Sequence, residues 1–109
     1  MSFRVKTTAN FEKQAKRLIK KYISLAKELR ELGESLRMNP EQGSYIGEGC
    51  YKVRLSIASK QKGKSGGARV ITYVVLKHEV LYLLSIYDKS EKENLTQKEL
   101  LELLKGVNE

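Results

Sequence analysis

The stretch SKQKGKSGGARV, Ser59 to Val70, sets lysines and glycines between two apolar runs and contains the letters Gly-Lys-Ser. Two folds compete for it. In a phosphate-binding P-loop, glycine, four residues and Gly-Lys-Ser/Thr lead from a strand into a helix whose N-terminal amides complete the anion site. Here the first glycine position is Ala58, and the residues that follow the loop, ARVITYVVL, are rich in β-branched side chains that favour a strand. The P-loop reading therefore fails twice. A cationic loop joining two strands remains, and an antiparallel sheet replaces a parallel nucleotide-binding one.

Upstream of the loop, CYKVRLSIAS alternates as a half-buried strand does, with Tyr51, Val53, Leu55 and Ile57 on one face and Lys52, Arg54 and Ser56 on the other. Downstream, a turn at Lys77-His78-Glu79 leads to a further strand, VLYLLSIYDK. Consecutive strands with short connections favour antiparallel pairing, and the strand after the loop can set Arg69 beside Lys52 and Arg54. A short opening strand, FRVKT, precedes Phe11, Ala15, Leu18 and Tyr22 at helical spacing, with Thr8 or Asn10 as cap. A second helix carries Leu25, Leu29, Leu32 and Leu36, begins near Ser24 and stops at Asn39-Pro40. Gly43, Gly47 and Gly49 then break the helical pattern. Thr96-Gln97-Lys98-Glu99 is a capping box opening a last helix, with Leu100, Leu103, Leu104 and Val107 on one side. These elements predict an α+β fold, a helical hairpin packed on a curved, mainly antiparallel sheet with a short C-terminal helix. At 109 residues the length suits one domain, 1–109. Both leucine stripes read as core.

Composition narrows the function. A hydrophobic share of 40% with 31% charged residues is that of a soluble globular protein. No apolar run approaches the roughly 20 residues of a membrane span, and MSFRVKTTANFEKQ lacks a signal peptide's apolar segment, so a cytoplasmic protein is expected. Cys50 is the only cysteine, which excludes an internal disulfide and a cysteine-based zinc cluster; it suits the start of a buried strand. His78, the sole histidine, falls in a turn. No metal site or cofactor is indicated, and neither a carboxylate dyad nor a Ser-His-Asp triad has a matching constellation.

The formal charge is +8, and its placement is uneven. Between Glu48 and Glu79 stand seven basic residues and no acidic one: Lys52, Arg54, Lys60, Lys62, Lys64, Arg69 and Lys77. Such a block attracts polyanions, with nucleic acid the foremost candidate. A chemistry of cations and phenols suits RNA cleavage by the neighbouring 2′-hydroxyl, which needs a proton removed, a phosphorane stabilised and the departing 5′-oxygen protonated. Arginines supply bidentate support for the phosphorane. The same residues could equally hold phosphates without cutting.

GCYKVRL, KGKSGGARVITYV and LLSIYDKSEKENLT, in that order and at fitting separations, resemble the RelE/ParE family of type II toxin-antitoxin toxins, most closely its HigB-like branch. The resemblance spans nearly the whole chain. It implies a ribosome-dependent, metal-independent endoribonuclease that cleaves messenger RNA in the decoding site, inhibits translation and is held inactive by a cognate antitoxin. On it, the basic pair of the family's Tyr-Lys-x-Lys/Arg strand looks like Lys52 and Arg54, the arginine opening the next strand like Arg69, and the basic residue past the last strand like Lys89. One departure stands out. The family's C-terminal functional tyrosine falls near Leu95, which carries no acid-base chemistry; Tyr87 is the nearest phenol, able to stack on a base, transfer a proton or simply pack at the sheet rim. Lys60, Lys62 and Lys64 would form a cationic finger steering the chain onto ribosomal RNA and the message. Two other functions fit the same residues, a gyrase poison of the ParE type and a non-catalytic RNA- or ribosome-binding module. The last helix could pack on the sheet through Leu100 and Leu104 or offer its apolar side to the antitoxin; packing is expected.

Overall fold

A computed structural model describes residues 2–60 and 67–107. The chain runs β1 (Arg4–Thr7), α1 (Ala9–Lys21), α2 (Leu25–Met38), β2 (Ser44–Gly47), β3 (Cys50–Leu55), β4 (Ala68–Val75), β5 (Val80–Asp88) and α3 (Gln97–Leu104). One five-stranded sheet has the order β1-β5-β4-β3-β2, antiparallel throughout except for β1, which pairs parallel with β5. The α+β architecture expected from the sequence is present.

Helix boundaries follow local chemistry. The Thr8 side chain accepts from the Phe11 amide and starts α1, while the Thr96–Glu99 capping box is fully formed at α3. The α2 helix gives out at Asn39, before Pro40. Tyr22, Ile23 and Ser24 join α1 to α2, which form the hairpin.

One strand was not foreseen. The glycines at 43, 47 and 49 bracket β2, which forms a hairpin with β3 rather than a loop. The two residues between Gly47 and its partner Cys50 are Glu48 and Gly49, with φ of 56° and 76°. That pair of left-handed residues is the tight hairpin turn whose twist matches antiparallel strands. The turn at 77–79 is a single 3₁₀ turn, Leu76–His78, closed by Glu79 at φ 53°.

The sheet is covered on both faces. Phe11, Ala15, Leu18, Leu25, Leu32 and Leu36 from the hairpin pack against Val53, Val70, Val74, Leu81 and Ile86. On the other face, Leu100 of α3 sits with Cys50, Ile71, Tyr82, Leu84 and Tyr87. All nine residues of β5 are consequently buried. The α3 helix thus packs on the sheet, as expected for Leu100, and it takes part of the face that also bears Lys52 and Arg54. Cys50 is fully buried, and that burial pushes its thiol up to about 12.

β1 ends opposite Leu83, which leaves the edge of β5 beyond it to α1. Asn10 Nδ2 donates to the Leu84 carbonyl at 3.1 Å, and the Ile86 amide donates to Gln14 Oε1 at 3.1 Å. A register shift between Ile71 and Thr72 leaves Leu84 as an extra residue in β5, so Leu84 and Ser85 do not follow strict alternation. The bulge falls directly before the end of β5 that carries Tyr87.

Candidate functional site

Three side chains form one row across three strands. Arg54 on β3 pairs in register with Arg69 on β4, which pairs with Tyr87 on β5. Residues directly opposed in antiparallel strands project to the same face with Cβ atoms about 5 Å apart. Ala68 and Val70 belong to the core under α1 and α2, so Arg69 between them points to the other face, the one that α3 partly covers. Lys52 lies two residues before Arg54 on that face, in the next row, opposite Ile71 and Ser85.

The row runs from open to closed. Arg54 is exposed and Lys52 half-buried, whereas Arg69 and Tyr87 are only 7% and 6% exposed. Arg69 Nη1 donates to the Ala68 carbonyl at 3.2 Å, and among the described residues no carboxylate pairs with the guanidinium. Two arginines facing each other across a ladder repel, and a buried guanidinium without a counter-charge is costly, so positive charge at this end of the sheet is left uncompensated among the described residues. The Tyr87 hydroxyl is buried without a hydrogen-bond partner among the described residues. Burial pushes its pKa up, against the pull of Arg69 and Lys92 downward, so the phenol is neutral at physiological pH. Tyr87 also borders a cleft of about 370 Å³ between β5, the start of α1 and α3, together with Gln14, Ser85, Lys92 and Leu95. Leu95 is thus near Tyr87 in space.

Lys89 is the first residue past β5, half-buried, its amide donating to the Gly67 carbonyl at 3.1 Å. At Gly67 a Cβ would lie 2.2 Å from the Leu55 carbonyl oxygen, so only glycine allows β4 to begin so close to the end of β3.

Lys60 differs from an exposed finger residue. Its side chain is 9% exposed, and Nζ donates to Asp88 Oδ1 at 2.6 Å and to Ser90 Oγ at 3.3 Å. The pull inward comes from Asp88, which has no exposure and also accepts from the Tyr22 hydroxyl at 2.6 Å and from the Ser90 amide and hydroxyl at 2.9 and 2.7 Å. Burial alone would raise this carboxyl; the bonds from Lys60, Tyr22 and Ser90 outweigh it and hold the pKa well below the usual carboxylate range. Lys62 and Lys64 lie outside the described residues. The Asp88–Tyr22 contact was not read from the sequence, because Tyr22 stands there as part of the α1 stripe and Asp88 as an acid closing an apolar strand in SIYDK, with no local signal joining them.

Among the described residues no group of three or more His, Cys, Asp and Glu converges as a metal site, and no helix is long and apolar enough to cross a membrane.

Comparison with known proteins adds two findings. Residues 3–107 match the family model described as the RelE toxin of the RelE/RelB toxin-antitoxin system. The fold is similar to the solved structure of a double arginine-to-alanine mutant of the E. coli toxin RelE in the free state, at a TM-score of 0.60 and 15% identity, covering 99% of this chain and 100% of that one.

Proposed function

The chain belongs to the RelE family of toxins from toxin-antitoxin systems, and from that premise we propose that it is a ribosome-dependent endoribonuclease that cuts messenger RNA in the cytoplasm at the Arg54–Arg69–Tyr87 row. The family implies a cognate antitoxin as partner; the ribosome and its message are the partners this reading adds. The observation that carries it is the buried guanidinium of Arg69, without a carboxylate among the described residues, set between a second arginine and a neutral phenol.

In the proposed reaction the 2′-hydroxyl passes its proton to solvent water, from which the proton donor is later restored, and its oxygen bonds to the adjacent phosphorus. The phosphorane collapses with cleavage of the P–O5′ bond, and the 5′-oxygen takes up a proton, leaving a 2′,3′-cyclic phosphate. Arg69 and Arg54 bind the equatorial oxygens, where charge builds up in the transition state. Tyr87, held neutral by burial, donates the proton to the 5′-oxygen. Lys52 and Lys89 flank the row and add positive charge beside the reacting phosphate. Lys62 and Lys64 steer the chain onto RNA, while Lys60 is held by Asp88.

The test is a purified translation system with programmed ribosomes and a defined message, comparing wild type with Arg69→Ala and mapping cut positions and end groups. Cleavage within the decoding site with a cyclic phosphate, lost in the variant, is the expected result. An intact message on ribosomes that bind the protein would remove the nuclease reading; inhibition of purified gyrase would then identify the ParE-type poison, and its absence a passive binding module.

A further inference from the structure

We propose that the outward face of α1 is a second RNA-binding surface, on which Lys13, Lys16, Arg17, Lys20 and Lys21 hold the phosphate backbone of a folded RNA. This surface lies away from the arginine row. The buried stripe of α1, Phe11, Ala15 and Leu18, enters the core on the sheet face opposite Arg69. The five cations fall on the other side of that helix, at i, i+3, i+4, i+7 and i+8, and by themselves line a shallow groove of about 520 Å³.

The arrangement is unfavourable for the helix alone. Lys13–Arg17, Arg17–Lys21 and Lys16–Lys20 are like charges four residues apart, a spacing at which they repel. Glu91 meets Arg17 at 2.6 Å and Lys21 at 3.3 Å, but among the described residues no carboxylate pairs with Lys13, Lys16 or Lys20. The neighbouring helix shows what an ordinary solvated face of this protein looks like. On α2 the exposed Lys27, Arg30 and Arg37 alternate with the exposed Glu31 and Glu34, and Arg37 pairs with Glu34. Glu12, the one acid of α1, stands in its first turn and accepts from the Thr7 hydroxyl; from Lys13 to Lys21 the outward face carries one sign, as no comparable stretch of α2 does.

The chemistry selects the occupant. A protein partner is held mainly by buried aromatic and aliphatic anchors, and the groove on α1 is lined by cations alone. A phosphate backbone needs only charge at regular spacing. From residue 13 to residue 21 the ridge spans about 12 Å of helix, the scale of a nucleic-acid groove, and lysines on a helix are a known way to span phosphates of double-stranded RNA without reading sequence. With the proposed substrate at the arginine row on the opposite sheet face, the molecule would meet polyanion on both sides. A folded RNA offers such a cleft and an isolated strand does not. The choice of RNA rests in that respect on the proposed function; the existence of the anion surface does not.

Binding of a fluorescent RNA hairpin of about 20 base pairs, followed by anisotropy across a salt series, tests this without any cleavage step. Lys13→Gln/Lys16→Gln/Lys20→Gln is expected to bind at least about tenfold more weakly at moderate salt, with the log–log salt slope reduced by about 2 to 3 for three lost phosphate contacts. Glutamine is a good helix former and the sites are exposed, so the melting temperature should be retained. Lys27→Gln/Arg30→Gln/Arg37→Gln on α2 removes the same charge elsewhere and should leave the slope nearly as in wild type. An unchanged slope in the α1 variant, or an equal loss in the α2 variant, overturns the proposal. Loss of binding to a poly-glutamate peptide with hairpin binding intact would instead assign the ridge to an acidic polypeptide. Repeating the titration with Arg69→Ala separates the two proposals, since a failed nuclease row leaves hairpin binding by α1 in place.

Discussion

Two neighbouring residues at the end of β5 have opposite fates, and each can be tested alone. Tyr87 keeps a buried hydroxyl without a partner among the described residues, an arrangement that usually costs stability. Tyr87→Phe should therefore melt at the same temperature as wild type or slightly higher. In single-turnover cleavage on programmed ribosomes it should be slower by about 10² or more if the phenol is the proton donor. A rate within a few-fold of wild type would reduce Tyr87 to packing. Asp88, one residue on, points to the helix side and gathers Lys60, Tyr22 and Ser90. Asp88→Asn leaves the Lys60 ammonium without its counter-charge in a place where it is hardly exposed, and should cost about 3 to 5 kcal/mol in urea unfolding at neutral pH. Strand alternation made the Lys52, Arg54 and Arg69 cluster legible beforehand, because side-chain direction is a property of the strand. The depth of Arg69 was not legible from its strand alone, and the capture of Lys60 depends on Asp88, which lies 28 positions further along the chain.

At the scale of elements, what could be read was local and what could not was long-range. The α1 cap, the end of α2 before Pro40 and the Thr96 capping box are each decided within a few residues; the last two occur where the sequence sets them, and of the two α1 caps it offered, Thr8 and Asn10, the structure uses Thr8. β2 was hidden because its glycines look like breakers, although Gly49 serves the turn that builds the hairpin. The parallel pairing of β1 with β5 joins residues some 76 positions apart, as at Arg4 and Val80, which no local pattern records. The α3 helix borders the candidate site, its Leu100 packing in one cluster with Tyr87 and Ile71. It is eight residues long, too short to persist alone, and its capping box is the main local support. Thr96→Ala should cost about 1 kcal/mol. Hydrogen exchange would show whether that loss appears as faster exchange of the α3 amides while β4 and β5 stay protected. Equal acceleration throughout the sheet would mean that α3 does not open separately.

The whole molecule carries a formal +8, and three of its 13 acids, Asp88, Glu91 and Glu99, are held ionised by neighbouring cations. Glu91 is held down by Arg17, Glu99 by Lys92 and the Thr96 amide to about 2, and Asp88 by the donors already described, against its burial. Each of these folded-state values lies below the unfolded one, about 3.9 for Asp and 4.3 for Glu. Their contribution to stability is therefore fully present above those unfolded values and is lost as pH falls through the folded ones. Acidification also removes negative charge from a molecule already repelling itself, which acts in the same direction. Urea unfolding should accordingly give a nearly constant stability from pH 7 to about 5 and a steep loss below about 4. Asp88→Asn, already weaker at neutral pH, should show a shallower loss across that acid range, because its largest titrating contribution is gone. Added salt should soften the decline by screening the net charge, but it should restore little of the Asp88 component, since that pair is shielded from solvent. If wild type and Asp88→Asn lost stability in parallel on acidification, the carboxylate at the end of β5 would not be the principal acid-sensitive link between α1, Lys60 and the strand that carries Tyr87.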